Sequence, residues 1–195
     1  MERKAFLKAS LCLGALCGAG AVAGERSAST ADGAATAPPP PSPPQPGPCE
    51  RDAAFAGWAR HWAKGLVDDL DAQLSEPQRV AVMEARGRAC ARGGPVKRAV
   101  AHKGDLDAFI ADMVAHMGPE GVRREGNVVK VTYRGCYCPM VAALEEPLSP
   151  TYCACSAGWL KEMYETVTGK PVTVTVLETI KRGGKACRFD VALTA

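Results

Sequence analysis

An α+β fold, with N-terminal helices packed on a small antiparallel sheet, is predicted by three features of the 195-residue sequence. Apolar residues recur at three- and four-residue steps in the first half, the period of an amphipathic helix. In the second half the period falls to two, as valines alternate with polar residues. Helices come first and strands follow, with no internal repeat, which points to an α+β class rather than to a parallel sheet.

Residues 1–23 read as an export signal. A charged start is followed by a weakly apolar stretch from Ala9 to Ala23, and Ala21-Val22-Ala23 has the small-x-small form of a cleavage site. The run is too short and too rich in Gly and Ala for a spanning helix, so no integral membrane span is expected. The opening Glu2-Arg3-Lys4-Ala5-Phe6-Leu7-Lys8 resembles the twin-arginine export signal, with Lys4 in the place of the second arginine. That resemblance implies a periplasmic or secreted protein, and the lysine leaves the export route open. Residues 24–48 hold Pro38-Pro39-Pro40-Pro41-Ser42-Pro43-Pro44 and cannot bury a core, so they are expected to form a disordered tether. Residues 49–195, roughly 145 in all, suit one cysteine-rich domain with a modest core. The formal charge is +3, of which Arg3, Lys4 and Lys8 against Glu2 account for most. The remainder is near neutral and lacks the clustered basic face of a nucleic-acid partner.

In the first helix, over Asp52–Leu74, Phe55, Trp58, Trp62, Leu66 and Leu70 form one apolar face of the kind that packs on a core. Ser75 and Gln78 make a capping box that opens a second helix to about Arg86, where Gly87 ends it. A Gly/Arg loop then carries Cys90. The third helix runs from Asp105 to Met117, with Leu106, Phe109, Ile110, Met113 and Met117 inward, and Gly118-Pro119 stops it. His61, His102 and His116 read as surface or packing residues.

Val129, Val131 and Tyr133 alternate with Lys130 and Thr132, giving the first strand. A cysteine-rich loop follows, then a helix from about Ser156, its N-cap, to Thr168, with Trp159, Met163 and Val167 buried. Val172, Val174 and Val176 alternate with polar residues in a second strand. Lys181-Arg182-Gly183-Gly184-Lys185 is a turn. In the third strand Cys187, Phe189 and Val191 point inward, and Arg188 and Asp190 outward.

The chemistry rests on cysteine, of which there are nine. Cys12 and Cys17 fall in the export segment, leaving Cys49, Cys90, Cys136, Cys138, Cys153, Cys155 and Cys187. An odd set cannot be closed by intramolecular disulfides alone, and Cys49, just after the tether, is the natural odd thiol. Cys136-Tyr137-Cys138 and Cys153-Ala154-Cys155 are two C-x-C pairs separated by fourteen residues. One loop closure would gather four thiolates at the roughly 2.3 Å that tetrahedral zinc requires. An iron–sulfur cluster takes the same number, and spacing does not separate the two. Zinc and, after it, an iron–sulfur cluster are the expected cofactors. Disulfides are the rival in an oxidising compartment. A catalytic thiol would want a nearby base, and no histidine lies in this half of the chain.

The stretch Tyr152-Cys153-Ala154-Cys155-Ser156-Ala157-Gly158-Trp159, then Gly169-Lys170-Pro171-Val172, then Glu178 through Phe189 with Cys187, resembles a family of uncharacterised bacterial proteins. Many of these carry a twin-arginine signal, and some are labelled L-2-amino-thiazoline-4-carboxylic acid hydrolase-like. The region is also remotely similar to the four-vinyl-reductase domain, whose α+β fold is shared with haem-based nitric-oxide sensors and a vesicle-transport subunit. In sensors of that type, cysteines and a glutamate near the C-terminal hairpin bind zinc beside a small-molecule pocket. The resemblance therefore implies Glu178 and Cys187 as further ligands beside the two C-x-C pairs. Gly87-Arg88-Ala89-Cys90-Ala91-Arg92 resembles a Cys-Gly-Arg-x-Cys-Ala segment of the same family. Arg86 stands where its first cysteine would be, so Cys90 lacks that partner. The functions implied are a metal-braced small-molecule-binding or sensing domain, a zinc hydrolase with Glu178 as base, or an iron–sulfur electron carrier. An all-cysteine set favours a structural metal and hence the first.

Overall fold

A computed structural model describes residues 48–194, with side chains from Asp52 onward. The proposed signal, the tether and the side chain of Cys49 lie outside the described residues. The compact unit that carries the sheet and the cysteines of the globular part spans residues 55–195.

Among the described residues, five α-helices and four strands run in the order α1 (Pro48–Gln73), α2 (Glu76–Arg92), α3 (Val96–Ala101), α4 (Leu106–Met117), β1 (Val122–Glu125), β2 (Val128–Tyr133), α5 (Pro150–Thr168), β3 (Val172–Glu178) and β4 (Cys187–Leu193). The strands form one sheet in the order β1-β2-β4-β3. Each neighbouring pair is antiparallel. The α+β class expected from the sequence is the architecture found. Helices α4 and α5 pack on one face of the sheet, with α3 against α5, and Phe109, Met113, Val129, Val131, Leu160, Met163, Tyr164, Phe189 and Val191 fill the layer between. Alternation in β4 puts Phe189 and Val191 into that core and Arg188 outside.

Three boundaries differ from the sequence expectation, each for a physical reason. Helix α2 passes through Gly87 to Arg92, so Cys90 is helical and not in a loop. The glycine does not stop the helix, because it serves a close helix crossing. A Cβ on Gly87 would lie 1.8 Å from the carbonyl oxygen of Cys155, and one on Gly158 would lie 1.9 Å from that of Glu84. Helix α5 begins at Pro150 rather than near Ser156, because Ser149 is a better-placed cap. Its hydroxyl accepts from Thr151 N–H at 3.1 Å, and Pro150 occupies the first turn, where no N–H is needed. The C-x-C pair at Cys153 is therefore helical. Strand β1 was not expected from Val122-Arg123-Arg124-Glu125, which is exposed after Val122. The Gly126-Asn127 turn pairs it with β2.

The aromatic face of α1 is placed differently as well. Phe55, Trp58 and Trp62 are 66%, 60% and 57% exposed, and stack on one another with ring centres 5.8 and 6.3 Å apart. The buried contact of α1 is made instead by Val67 and Leu70, against Met83 and Ala154.

Candidate functional site

The cysteines sit where α5, the 134–149 loop and the β3–β4 connection meet. Val141, Leu144 and Leu148 of the loop form a small apolar cluster of their own, with Cys136, Cys138 and Tyr152 packed on it. Lys181, in a 3-10 turn at Ile180–Arg182, ties the loop down. Its ammonium donates to the carbonyl oxygens of Ala142 and Leu144, and its own carbonyl accepts from Leu148 N–H at 3.0 Å.

Helix α5 divides the thiols. Residues two apart on an α-helix point about 200° away from each other, so Cys153 and Cys155 face opposite sides. Cys153 faces the hairpin and donates to the buried Thr179 hydroxyl at 3.4 Å. Burial pushes its thiol above the ordinary range, and the nearby Cys187 and Cys136 add to this. Cys187 accepts from Ile180 N–H at 3.5 Å. Burial raises this thiol too, with Cys136 again a neighbour. Cys155 faces α2. Burial pushes it up to about 12, with Cys90 and Cys138 contributing and Arg86 opposing. Cys138 lies 4.0 Å from the Tyr152 hydroxyl. Burial, and then the Cys138 thiol, raises that phenol well above its usual range.

The corner thus holds two sets, Cys136 with Cys153 and Cys187, and Cys138 with Cys155 and Cys90. The four sulfurs of the two C-x-C pairs are not brought together. Among the described residues, no three His, Cys, Asp or Glu side chains converge closely enough to hold a metal ion. This is a departure from the single four-thiolate site expected, and its cause is the helical state of Cys153 and Cys155. Glu178 is committed elsewhere. One oxygen accepts from Lys185 N–H at 2.6 Å and the other pairs with Arg188 at 2.9 Å across a β-bulge, closing the hairpin. As it stands the carboxylate is neither a free ligand nor a free base.

A second feature lies deeper, and sequence reasoning missed it. Tyr164, 1% exposed, has its hydroxyl buried with no hydrogen-bond partner. Its ring meets Phe109 edge-on at 5.4 Å. Burial raises the phenols of both Tyr164 and the half-buried Tyr133, and Tyr164 adds to the rise at Tyr133. Tyr133 in turn packs on Phe189 with centres 5.5 Å apart. The signal was a tyrosine one position off the Trp159, Met163, Val167 line on a helix whose buried face is wider than that line. On the opposite face of the sheet a groove of about 480 Å³ is lined by Arg123, Lys130, Arg134, Arg188 and Asp190. Most of its charges are already paired, as in Lys130 with Asp190 at 3.5 Å and Arg123 with Glu125 at 3.0 Å.

A model for a family of unknown function matches residues 59–195, which takes in both thiol sets, the tyrosine pair and the whole sheet. The chain belongs to DUF6144. That membership fixes the family of the domain and carries neither the twin-arginine nor the hydrolase-like label. No curated protein matches the DUF6144 chain. Among solved structures it is similar to the phenol-responsive sensory domain of the transcription activator PoxR, crystallised with phenol. Identity is 14%, the match covers 72% of this chain and 73% of that one, and the TM-score is 0.39. So remote a likeness bears on neither ligand nor activity. No helix among the described residues is long and apolar enough to cross a membrane.

Proposed function

We propose that the DUF6144 domain is an exported small-molecule-binding or sensing module, with a metal bracing its cysteine corner. The observation that carries the binding reading is the orphaned hydroxyl of Tyr164. Buried polar groups are nearly always hydrogen-bonded, and one without a partner loses roughly 1–3 kcal/mol of solvation unless something supplies that partner. A ligand with one hydrogen-bonding atom, entering the apolar layer of Phe109, Tyr133 and Phe189, supplies it. Mostly apolar walls with a few convergent polar groups are what small-molecule sites have in common.

The metal part of the proposal is supported by the two C-x-C pairs of the sequence alone. Cys136, Cys153 and Cys187 lie on one side of α5 but do not converge closely enough to hold an ion, so a metal would have to draw them together. Zinc comes first and an iron–sulfur cluster second; both take four ligands, and metal analysis with a visible spectrum separates them. A structural ion there would fix the 134–149 loop and the hairpin to α5. The hydrolase alternative has less support, because its intended base, Glu178, is held by Lys185 and Arg188.

The decisive variant is Tyr164→Phe. Without a ligand it removes an unsatisfied hydroxyl and leaves stability equal to the parent or above it. A panel of small phenols, alcohols and carboxylic acids, scored by thermal shift, is expected to contain compounds that stabilise the parent and not the variant. If every stabilising compound acts equally on both, the Tyr164 site is refuted. The metal is tested by zinc content after equilibration. Cys153→Ser should lower it and Cys49→Ser should not. Export is tested by finding the processed chain outside the cytoplasm.

A further inference from the structure

The two edges of the sheet are built differently. Strand β1 has four residues, and Arg123, Arg124 and Glu125 crowd it with charge. Short, charged edges are how sheets avoid pairing with further strands. Strand β3, the other edge, has the seven residues Val172-Thr173-Val174-Thr175-Val176-Leu177-Glu178, with no proline and no charge before the last. Thr173, Thr175 and Leu177 are exposed on the face away from the helices. The alternation of an antiparallel ladder fixes which backbone groups this edge offers. Leu193 donates its N–H to Asn127 at 2.8 Å, on the β2 side, so Val172 opposite it turns its own polar groups away from β4. The Val172 N–H accordingly donates to the Glu165 carboxylate, at 3.3 Å. Val174 and Val176 point the same way, and among the described residues no acceptor meets either N–H outside the sheet. On the helix side of the edge, a hollow of about 300 Å³ is lined by Val80, Ala154, Ala157, Val174 and Val176.

We propose that β3 pairs with β3 of a second copy of this chain, antiparallel about a two-fold axis at Val174, joining two four-stranded sheets into one of eight strands. The strand itself selects this partner. Val172-Thr173-Val174-Thr175-Val176 reads the same in both directions, and a two-fold antiparallel pair sets a strand against its own reverse. Val172 falls opposite Val176 of the second copy, Thr173 opposite Thr175, and Val174 opposite Val174. Threonines meet on the outer face, where they form hydrogen-bonding cross-strand pairs. Valines meet on the inner face, where the hollow leaves room for them. The outward-turned residues Val172, Val174 and Val176 face one another in this register, so each free edge N–H finds a backbone carbonyl, and Val172 exchanges Glu165 for one. At each end the exposed Lys170 of one copy comes beside Glu178 of the other, so the charges that flank the strand are complementary as well.

The test reads mass by sedimentation velocity and the edge by amide hydrogen exchange, both on the full chain. The parent is expected at twice the chain mass, with slow exchange at Val174 and Val176. Thr173→Lys with Thr175→Lys sets like charges directly opposite at two places and should weaken association by roughly tenfold or more, with both amides exchanging faster. Thr173→Glu with Thr175→Lys sets opposite charges at the same two places and should keep the pair. Both positions are exposed in the single copy, so the two double variants should melt together when dilute. A parent that stays a single copy overturns the proposal. A pair untouched by the double lysine change lies elsewhere on the molecule and overturns it too. Equal weakening in both double variants denies this register and overturns it equally.

Discussion

Asp71 joins three helices through one carboxylate. It accepts from the Thr151 hydroxyl at 2.6 Å and pairs with Arg79 at 3.0 Å, so α1, α2 and the start of α5 meet there. Hydrogen bonds from Ser149 and Thr151 hold its carboxyl below the ordinary carboxylate range. A carboxyl lowered in the folded state stabilises above its unfolded value, near 4, and that stabilisation is lost as pH falls through the lower folded value. Urea midpoints measured between pH 6 and pH 3 should therefore fall, and Asp71→Asn should flatten part of the decline. An unchanged slope in the variant would remove Asp71 from the explanation. Single residues also mark where sequence reading stopped. The inward Cys187 and Phe189 were legible because alternation in a strand fixes direction. Tyr164 was not, because whether a hydroxyl finds a partner depends on what lies across the core, and no local pattern records that.

At the scale of elements, the crossing of α2 and α5 is the tightest contact in the fold. Gly87 and Gly158 let backbone meet backbone, and charged side chains flank the contact. Arg88 pairs with Glu165 at 2.6 Å, and Lys161 with Glu84 at 2.6 Å. These half-exposed ion pairs add modestly to the apolar contact. A methyl group at either glycine has no room unless the helices separate. Gly87→Ala and Gly158→Ala should each cost about 3 kcal/mol or more in denaturant unfolding, where alanine in a helix interior normally stabilises relative to glycine. A neutral result would mean that the crossing is looser than described. The periods that announced α4, β2, β3 and β4 are local properties, and those elements stand where the sequence put them. The extension of α2 through Gly87 is tertiary. The glycine was read as a stop because a helix end and a helix crossing both ask for a residue without a side chain. Ser149-Pro150 and Gly126-Asn127 were readable signals. The first is a stronger cap than Ser156, with Pro150 in the first helical turn, and the second sits between charged residues that mask the strand signal.

For the molecule as a whole, α+β packing was legible because hydrophobic period decides layer architecture. The division of the cysteines was not, because it depends on where one helix begins. The aromatic stripe of α1 teaches the same distinction. Its spacing specifies a face and not what the face meets. Since Trp58 and Trp62 touch little beyond each other and Phe55, replacing both by Gln should change the unfolding free energy by less than about 0.5 kcal/mol. A large loss would place the stripe in a packed interface.

Helix α5 carries Cys153 and Cys155 in its first turns and Tyr164 about 16 Å further along, at 1.5 Å per residue. The rod is continuous from Pro150 to Thr168, with no proline after its first turn. Thiol chemistry at one end and the buried hydroxyl at the other are therefore mounted on a single shaft. A displacement of that helix at the cysteine corner is thus a displacement of the helix that carries Tyr164.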